Sequence, residues 1–504
     1  MADIVLATLN AKYVHTAFGL RYLFANLGEL KSKAVIVESD INKRTLEIAE
    51  AILEHDPRVV GLGVYIWNVA QTTELVAVLK RLRPDLVVVL GGPEVSYETE
   101  SQRIVELADV VVTGEADAAF GQLCSELLAA GRAAPRAGNL PKVMAAQTPD
   151  LAQIALPYEH YTAEDVAHRI VYVETSRGCP FGCEFCLSSL DRRVRYFPLE
   201  PFFQELDRLI ERGATRFKFV DRTFNLELER SLKLLRFLRE RCRPGQMFHF
   251  EIVPDRLQDE FLEFVAQFPP EVLRFEVGVQ TFNPQVAMRI NRFQNYQRLK
   301  RNLRFLREQT GVLLHADLVF GLPGETLDSF ADGFDELVAL RPHEIQLGIL
   351  KRLRGAPISR HDVEWQMVYN PNPPYEILQS KTVSFDTVQR VRRFARFWEL
   401  IWNSGNFGRT APMIWARASS PFRAFMRWSD WLFARVRRTD SIALVSLMEL
   451  LFEYLTVELG LDPERVAAAL AEDYQRAGRR ELPAFLKRHL RGVRTAAAPR
   501  VASQ

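Results

Sequence analysis

Three of the chain's five cysteines stand within eight positions, in the run Cys179-Pro-Phe-Gly-Cys183-Glu-Phe-Cys186. Three thiolates spaced C-x3-C-x2-C on one loop can hold three corners of a cubane iron–sulfur cluster, leaving the fourth iron open to a substrate or cofactor. Zinc is the other metal such thiolates take. A structural zinc site closes with four ligands, and neither Cys124 nor Cys242 lies near in sequence, so that reading needs a histidine such as His168. Cys124 and Cys242 themselves read as small buried residues of helices.

The loop is positioned by the apolar run at 170–175, which opens a βα rhythm. Further strands are predicted at 217–220, 247–253, 273–280, 313–319 and 344–350, each beside a helical segment. Six such units with right-handed crossovers make a partial barrel, whose active site lies at the carboxyl ends of the strands. An earlier set of apolar runs, at 4–7, 34–37, 59–64, 86–90 and 110–112, alternates with helical patterns at 19–27, 46–53, 72–82 and 118–130. Strands apolar on both faces imply a parallel sheet covered by helices. The expectation is a doubly wound, flavodoxin-like domain that binds ligands beyond its strand ends, at 10–15, 65–68, 91–94 and 114–115. The predicted division is a leading domain over 1–135, a linker over 136–165, the barrel over 166–372, an all-helical domain over 373–491 and a flexible tail over 492–504.

Motif, position and fold together resemble the radical S-adenosylmethionine (SAM) superfamily: the cysteine triplet, with Phe185 just before the third, follows the first strand of a six-unit barrel. The resemblance implies a 4Fe-4S cluster on Cys179, Cys183 and Cys186, whose open iron chelates SAM. Reduction would then cleave SAM to methionine and a 5′-deoxyadenosyl radical. It also implies an external electron donor such as a flavodoxin or ferredoxin. SAM contacts are expected at Phe185 and in Asp221-Arg-Thr-Phe-Asn225, through Asp221, Thr223 and Asn225, although the family's paired glycines are absent there. Glu251, Gln280 and Asp317 are polar residues in apolar strands, where an unpaired polar group is costly, and they complete the expected SAM set. Gly321-Leu-Pro-Gly-Glu-Thr326 resembles a loop of radical enzymes that carry a leading cobalamin domain.

A doubly wound domain ahead of such a barrel resembles the cobalamin-binding domain of that subgroup. The Asp-x-His-x-x-Gly motif of histidine-ligated cobalamin is missing around His15, so the cofactor is expected with its tail in the sheet pocket. The candidate contacts are Asn10, Tyr65, Trp67, Asn68, Gly91, Gly92, Pro93, Glu94, Gly114 and Glu115, with the glycines along the tail and residues 65–68 under the ring. A scaffold that has lost its cofactor is the alternative. Methylthiotransferases share the layout, but their three further cysteines are absent here: only Cys124 precedes the barrel.

Lys plus Arg total 65 against 63 Asp plus Glu, and 48% of the 504 residues are hydrophobic. This balance excludes a mainly disordered chain and any global polyanion-binding charge. Asp3 and the polar stretch from Thr8 argue against a secretory leader, and Glu449 and Glu453 interrupt the most apolar late segment, so no membrane anchor is expected. Sparse cysteines suit a reducing, cytoplasmic compartment. From Arg390 to Arg438 there are eleven arginines, no lysine and two acids, interleaved with Phe, Met and Trp. Nucleic-acid binding is conceivable for that pattern, but the aromatics at helical spacing read first as core. The function expected is a cobalamin-dependent radical SAM transferase, with methyl transfer to an unactivated carbon as the economical chemistry and substrate unread. The alternative is a non-catalytic metal-binding scaffold holding an anionic partner through its basic helices.

Overall fold

The computed structural model describes residues 2–129, 140–476 and 478–490. The predicted tail at 492–504 and the start of the predicted linker lie outside them. The leading domain is a parallel sheet of β1 (Ile4–Asn10), β2 (Ala34–Asp40), β3 (Val59–Gly63), β4 (Val87–Gly91), β5 (Val110–Thr113) and β6 (Val143–Ala145), in the order β2-β1-β3-β4-β5-β6. Its helices are α1 (Phe18–Ala25), α2 (Thr45–Leu53), α3 (Val69–Leu82), α4 (Arg103–Leu107) and α5 (Ala119–Ala129). All seven residues of β1 are buried, as a central strand covered on both faces requires.

The stretch predicted as a linker is instead part of the packed structure. β6 extends the leading sheet by pairing with β5, and α6 (Ala163–His168) begins in a capping box formed by Thr162 and Asp165. Periodicity over so short a strand is unreadable; it forms because β5 would otherwise present a bare edge. Arg21 reaches Glu38 at 2.5 Å and Asp165 at 2.7 Å, while Arg169 reaches the same two carboxylates at 2.7 Å each. Four charges buried at one seam are held by mutual pairing, and they weld α1 to the connector.

The barrel comprises β7 (Val171–Val173), the small antiparallel pair β8 (Ser176–Arg177) and β9 (Arg195–Tyr196), then β10 (Arg216–Phe219), β11 (Met247–Ile252), β12 (Leu273–Gln280), β13 (Leu313–Phe320) and β14 (Glu344–Ile349). Six of these form a parallel sheet in the order β14-β13-β12-β11-β10-β7, and among the described residues no ladder joins β14 to β7. Its outer layer is α7 (Leu199–Glu211), α8 (Leu228–Arg241), α9 (Asp259–Val265), α10 (Pro284–Arg289), α11 (Tyr296–Gln309) and α12 (Leu327–Leu340). Strands β11, β12 and β13 alternate strictly between buried and half-buried residues. The buried set faces the helices, where Phe219 stacks on Phe250 with ring centroids 4.3 Å apart and Phe217 on Phe248 at 5.1 Å. Each such ring contributes roughly 1.5–3 kcal/mol by burial. The other set, including His249, Glu251, Glu276 and Asp317, points into the barrel.

A hairpin of β15 (Val368–Tyr369) and β16 (Ile377–Gln379) follows, so the expectation of an all-helical domain over 373–491 is corrected at its start; β16 is too short for its period to show. The rest is helical: α13 (Phe385–Trp398), α14 (Pro421–Val436), α15 (Leu444–Glu453), α16 (Pro463–Arg476) and α17 (Ala484–His489). Phe394, Phe397, Trp398, Phe425 and Trp428 are at most 1% exposed, which makes the interleaved aromatics core. Two of their arginine neighbours pair with acids of the chain, Arg390 with Asp430 at 2.6 Å and Arg423 with Asp328 of α12 at 2.9 Å. Asn403 donates to the Ile345 carbonyl and accepts from its N–H, both at 3.0 Å, capping the free edge of β14. Cys124 is buried in α5, as expected, whereas Cys242 follows the last residue of α8 and is half-buried. Among the described residues no helix is long and apolar enough to cross a membrane.

Candidate active site and cofactor cavities

The cysteine loop hangs from the β8–β9 pair, with the Cys179 N–H donating to the Asp191 carbonyl at 2.9 Å. Gly178 has a φ of 92°, and a Cβ there would lie 2.3 Å from the Arg193 carbonyl oxygen, so only glycine can feed the chain into the first cysteine. At the far side, buried Glu184 is held by His361 at 2.8 Å, and its backbone pairs with Ile290 and Ile358. These ties turn all three cysteines toward one cavity of about 230 Å³ at the carboxyl ends of the barrel strands. Three cysteines lining one cavity, with no fourth cysteine among its described wall residues, fit the donor set of a cubane cluster that has one open iron.

Phe185, Thr223, Glu251, Gln280 and Asp317 line the same cavity. Gln280 ends β12 at a φ of 71° after a register shift at Gly278, where a Cβ would sit 2.5 Å from the Gln280 Nε2. A non-glycine residue in the left-handed region is strained, and such strain gathers at functional sites. Burial raises the Glu251 carboxyl above its ordinary range, partly offset by Arg222 at 3.2 Å. Burial likewise raises Asp317, opposed by His315. Burial disfavours charge on His315 as well, yet Asp317 at 3.2 Å and Glu344 at 3.1 Å lift it to about 10. Glu276 shows the opposite outcome: burial would raise it, but His249 at 2.9 Å and Lys218 at 3.0 Å hold it well below the carboxylate range.

Two expected SAM contacts do not line this cavity. Asp221 is 1% exposed and turned inward, accepting from the hydroxyls of Thr175 at 2.7 Å and Ser176 at 2.6 Å and from the Thr175 N–H. Asn225 is bonded both ways to the Val253 backbone, at 2.9 and 2.8 Å. Their polar atoms fasten β7 to β10 and the 221–225 turn to β11. Arg222, between them, does reach the cavity, as do Glu276 and Arg292, whose Nη1 lies 3.3 Å from the Cys183 sulfur. Glu276 was legible as the inward partner of Gln280 at even spacing along one strand; Arg292 sits in a loop with no sequence signal.

A second cavity, of about 260 Å³, opens at the carboxyl ends of the leading sheet. Tyr65, Gly91, Gly92 and Gly114 line it, with Phe18, Tyr22 and Phe120 supplying aromatic walls. Bare backbone on one side and rings on the other suit a flat aromatic group such as a corrinoid tail. The remaining expected contacts lie elsewhere. Trp67 stacks on Tyr65 with centroids 4.4 Å apart and an angle of 6°, outside the cavity and 46% exposed. Asn10 donates to Glu38 at 2.7 Å, and buried Asn68 holds the 65–68 turn by accepting from the Tyr65 N–H at 2.8 Å. Pro93 opens a short 3-10 turn. Glu94 and Glu115 serve the domain seam: Glu94 meets Arg354 at 2.9 Å and the Tyr375 hydroxyl at 2.7 Å, and Glu115 meets Arg177 at 2.8 Å and also Arg195. His15 is occupied by the Tyr172 hydroxyl at 2.7 Å. Glu174 and Arg177, from the barrel, close the leading cavity. Burial pushes the Glu174 carboxyl up to about 7 against the pull of Arg177.

Comparison with known proteins agrees with this architecture. The profile of the radical SAM superfamily matches residues 173–337, and that of the B12 binding domain matches residues 4–124. The chain thus carries a radical SAM domain behind a B12-binding domain. Its cofactors are accordingly a 4Fe-4S cluster, SAM and cobalamin. Residues 363–498 match a protein family of unknown function, DUF4080. An uncharacterized methyltransferase of Pyrococcus horikoshii is 30% identical over 235 residues, which is 43% of this radical SAM chain and 50% of that protein. The cobalamin-dependent radical SAM methyltransferase TokK of Streptomyces tokunonensis is 26% identical over 341 residues, 60% of this chain and 48% of TokK. The chain thus spans about half the length of these curated relatives. Among solved structures, the cobalamin-dependent radical enzyme OxsB, with aqua-cobalamin bound, superposes with a TM-score of 0.63 at 14% identity, over 94% of this chain and 80% of OxsB. TsrM from Kitasatospora setae, with cobalamin and a 4Fe-4S cluster bound, gives 0.56 at 18% identity, over 74% and 82%. At these identities the likeness establishes the fold.

Proposed function

We propose that this radical SAM chain is a methyltransferase that acts on an unactivated carbon. The observation that carries the reading is the segment from Glu174 to Cys179, which forms one wall of the leading cavity and then runs directly into the wall of the cysteine cavity. When bound, the cluster and SAM supply a 5′-deoxyadenosyl radical, and cobalamin supplies a transferable methyl group. The chain's own residues do the positioning. Cys179, Cys183 and Cys186 hold three irons, while Glu251, Gln280 and Asp317, with Arg222 and Glu276, offer polar partners to the amino, carboxylate and ribose groups of SAM. The glycines of the leading cavity and Tyr65 hold the corrinoid tail, and the Glu94–Arg354–Tyr375 contact clamps the two domains over the space between. Water exclusion from that space protects the radical. A flavodoxin- or ferredoxin-type donor and a cytoplasmic, reducing setting complete the reading. Two named methyltransferases among the relatives favour it; the scaffold alternative gains no support from the interleaved aromatics, which are buried as core.

The test is anaerobic reconstitution with iron, sulfide and hydroxocobalamin, followed by reduction in the presence of SAM. 5′-Deoxyadenosine and S-adenosylhomocysteine are both expected. Deoxyadenosine alone would remove methyl transfer from the assignment, and neither product from a spectroscopically intact cluster would overturn the radical reading.

A further inference from the structure

Beside the open edge of the barrel, β14 faces α13 across a groove of about 500 Å³. One wall is apolar, formed by Phe185, Val319, Ile349 and Leu353, and Phe185 is shared with the cysteine cavity. The groove therefore abuts the loop that carries the cluster ligands. Its other wall comes from the helical domain and is charged. Arg392 is matched by Glu376, and Glu399 accepts from Asn403 at 2.8 Å. Three cations stand against these two carboxylates, and among the described residues two of the cations have no acid within pairing distance. Arg396 spends its Nε on the Thr439 carbonyl at 3.2 Å, and among the described residues no carboxylate pairs with it or with Lys351.

An apolar trough ending in two unanswered cations is complementary to one kind of small molecule. We propose that this groove is the substrate site and that its substrate is a small amphiphile with an oxyanion head, a carboxylate or a phosphate monoester. The head sits between Lys351 and Arg396, and the apolar body lies along β14 toward Phe185. The word substrate rests on the radical-enzyme reading above; the anion site does not. The inference gives a task to the DUF4080-matching region, which contributes Arg392, Arg396 and Glu399.

Isothermal titration of the cofactor-loaded protein with octanoate, octyl phosphate and octylammonium tests it. At least one of the two oxyanions is expected to bind, with octylammonium weaker by roughly tenfold or more, and whichever oxyanion binds more tightly identifies the head. Arg396→Glu and Lys351→Gln should each weaken the oxyanion by roughly tenfold; both side chains are exposed enough that neither change threatens the fold. Equal binding of octylammonium, no binding of either oxyanion, or unchanged affinity in both variants overturns the proposal. 5′-Deoxyadenosine formation by the same wild-type preparation separates the two readings. Product without oxyanion binding overturns the groove alone, whereas binding without product overturns the substrate role and leaves an anion site.

Discussion

Arg177 grips Asp117 with both terminal nitrogens, Nη1 at 2.8 Å and Nη2 at 3.0 Å, and so fastens the start of the cysteine loop to the leading domain. The same guanidinium takes Glu115 at 2.8 Å and Glu174 at 2.9 Å and lies over the Tyr22 ring, 4.8 Å from its centroid. Bidentate geometry and stacking are properties of arginine that lysine cannot reproduce. Replacing Arg177 with Met would leave Asp117 and Glu174 buried without a counter-charge. We expect a loss of about 3–5 kcal/mol, read from urea unfolding; a loss under about 1 kcal/mol would show the clamp to be dispensable.

Asp221 and Glu251 should separate by phenotype. Asp221→Ala strips the acceptor from the Thr175 N–H and two buried hydroxyls, which should cost about 3 kcal/mol of stability. Glu251→Gln keeps its shape and should leave the unfolding curve within about 0.5 kcal/mol, while SAM affinity falls roughly tenfold by equilibrium binding. Reversed phenotypes would return Asp221 to the SAM site.

Gly91 ends β4 with ordinary backbone, and a Cβ there would meet only the Val112 carbonyl oxygen at 3.6 Å. Gly91→Val should fold normally and push its methyl groups into the leading cavity. The corrinoid retained per chain after desalting is expected to drop at least about tenfold; full retention would place the tail elsewhere.

Glu325 is 2% exposed, accepts from the Thr281 hydroxyl at 2.6 Å, and is raised by burial to about 8. Between its ordinary value of 4.5 and about 8, the unfolded chain has released this proton and the folded chain has kept it. Stability from this group is therefore complete below 4.5 and is lost as the pH rises through about 8, by about 1.4 kcal/mol per unit at most. Glu325→Gln imitates the protonated form and should flatten that decline, becoming more stable than wild type above about pH 8 in urea titrations. Parallel pH curves for the two proteins would remove Glu325 as the source.

The barrel strands and the cysteine loop were legible because both are local. Alternation at period two marks which residues of β11, β12 and β13 face the helices, and thereby marks Glu251, Gln280 and Asp317 as inward polar groups. The cysteine spacing places three thiols on one loop whatever surrounds it. Asp221 and Arg222 show where this ends. They are adjacent in a turn, outside any repeating pattern, and which one meets the cavity depends on Thr175 and Ser176 waiting across from β10. β6 was invisible for a related reason, since three residues carry no period and the strand exists only because β5 offers an edge.

The contacts between domains were beyond reach altogether. Glu94 and Arg354 are 260 residues apart, as Glu115 and Arg195 are 80 apart, and each reads in isolation as an ordinary surface charge. Two of these acids, Glu94 and Glu115, were expected as cobalamin contacts and pair across the seam. Sequence determined the two α/β sheets, the metal-binding loop and the inward face of the barrel, because each follows from short-range periodicity and spacing. Which sheet ends face one another, and so which charges are spent on structure and which are left for ligands, was decided by packing between surfaces distant along the chain, where no local pattern encodes the partner.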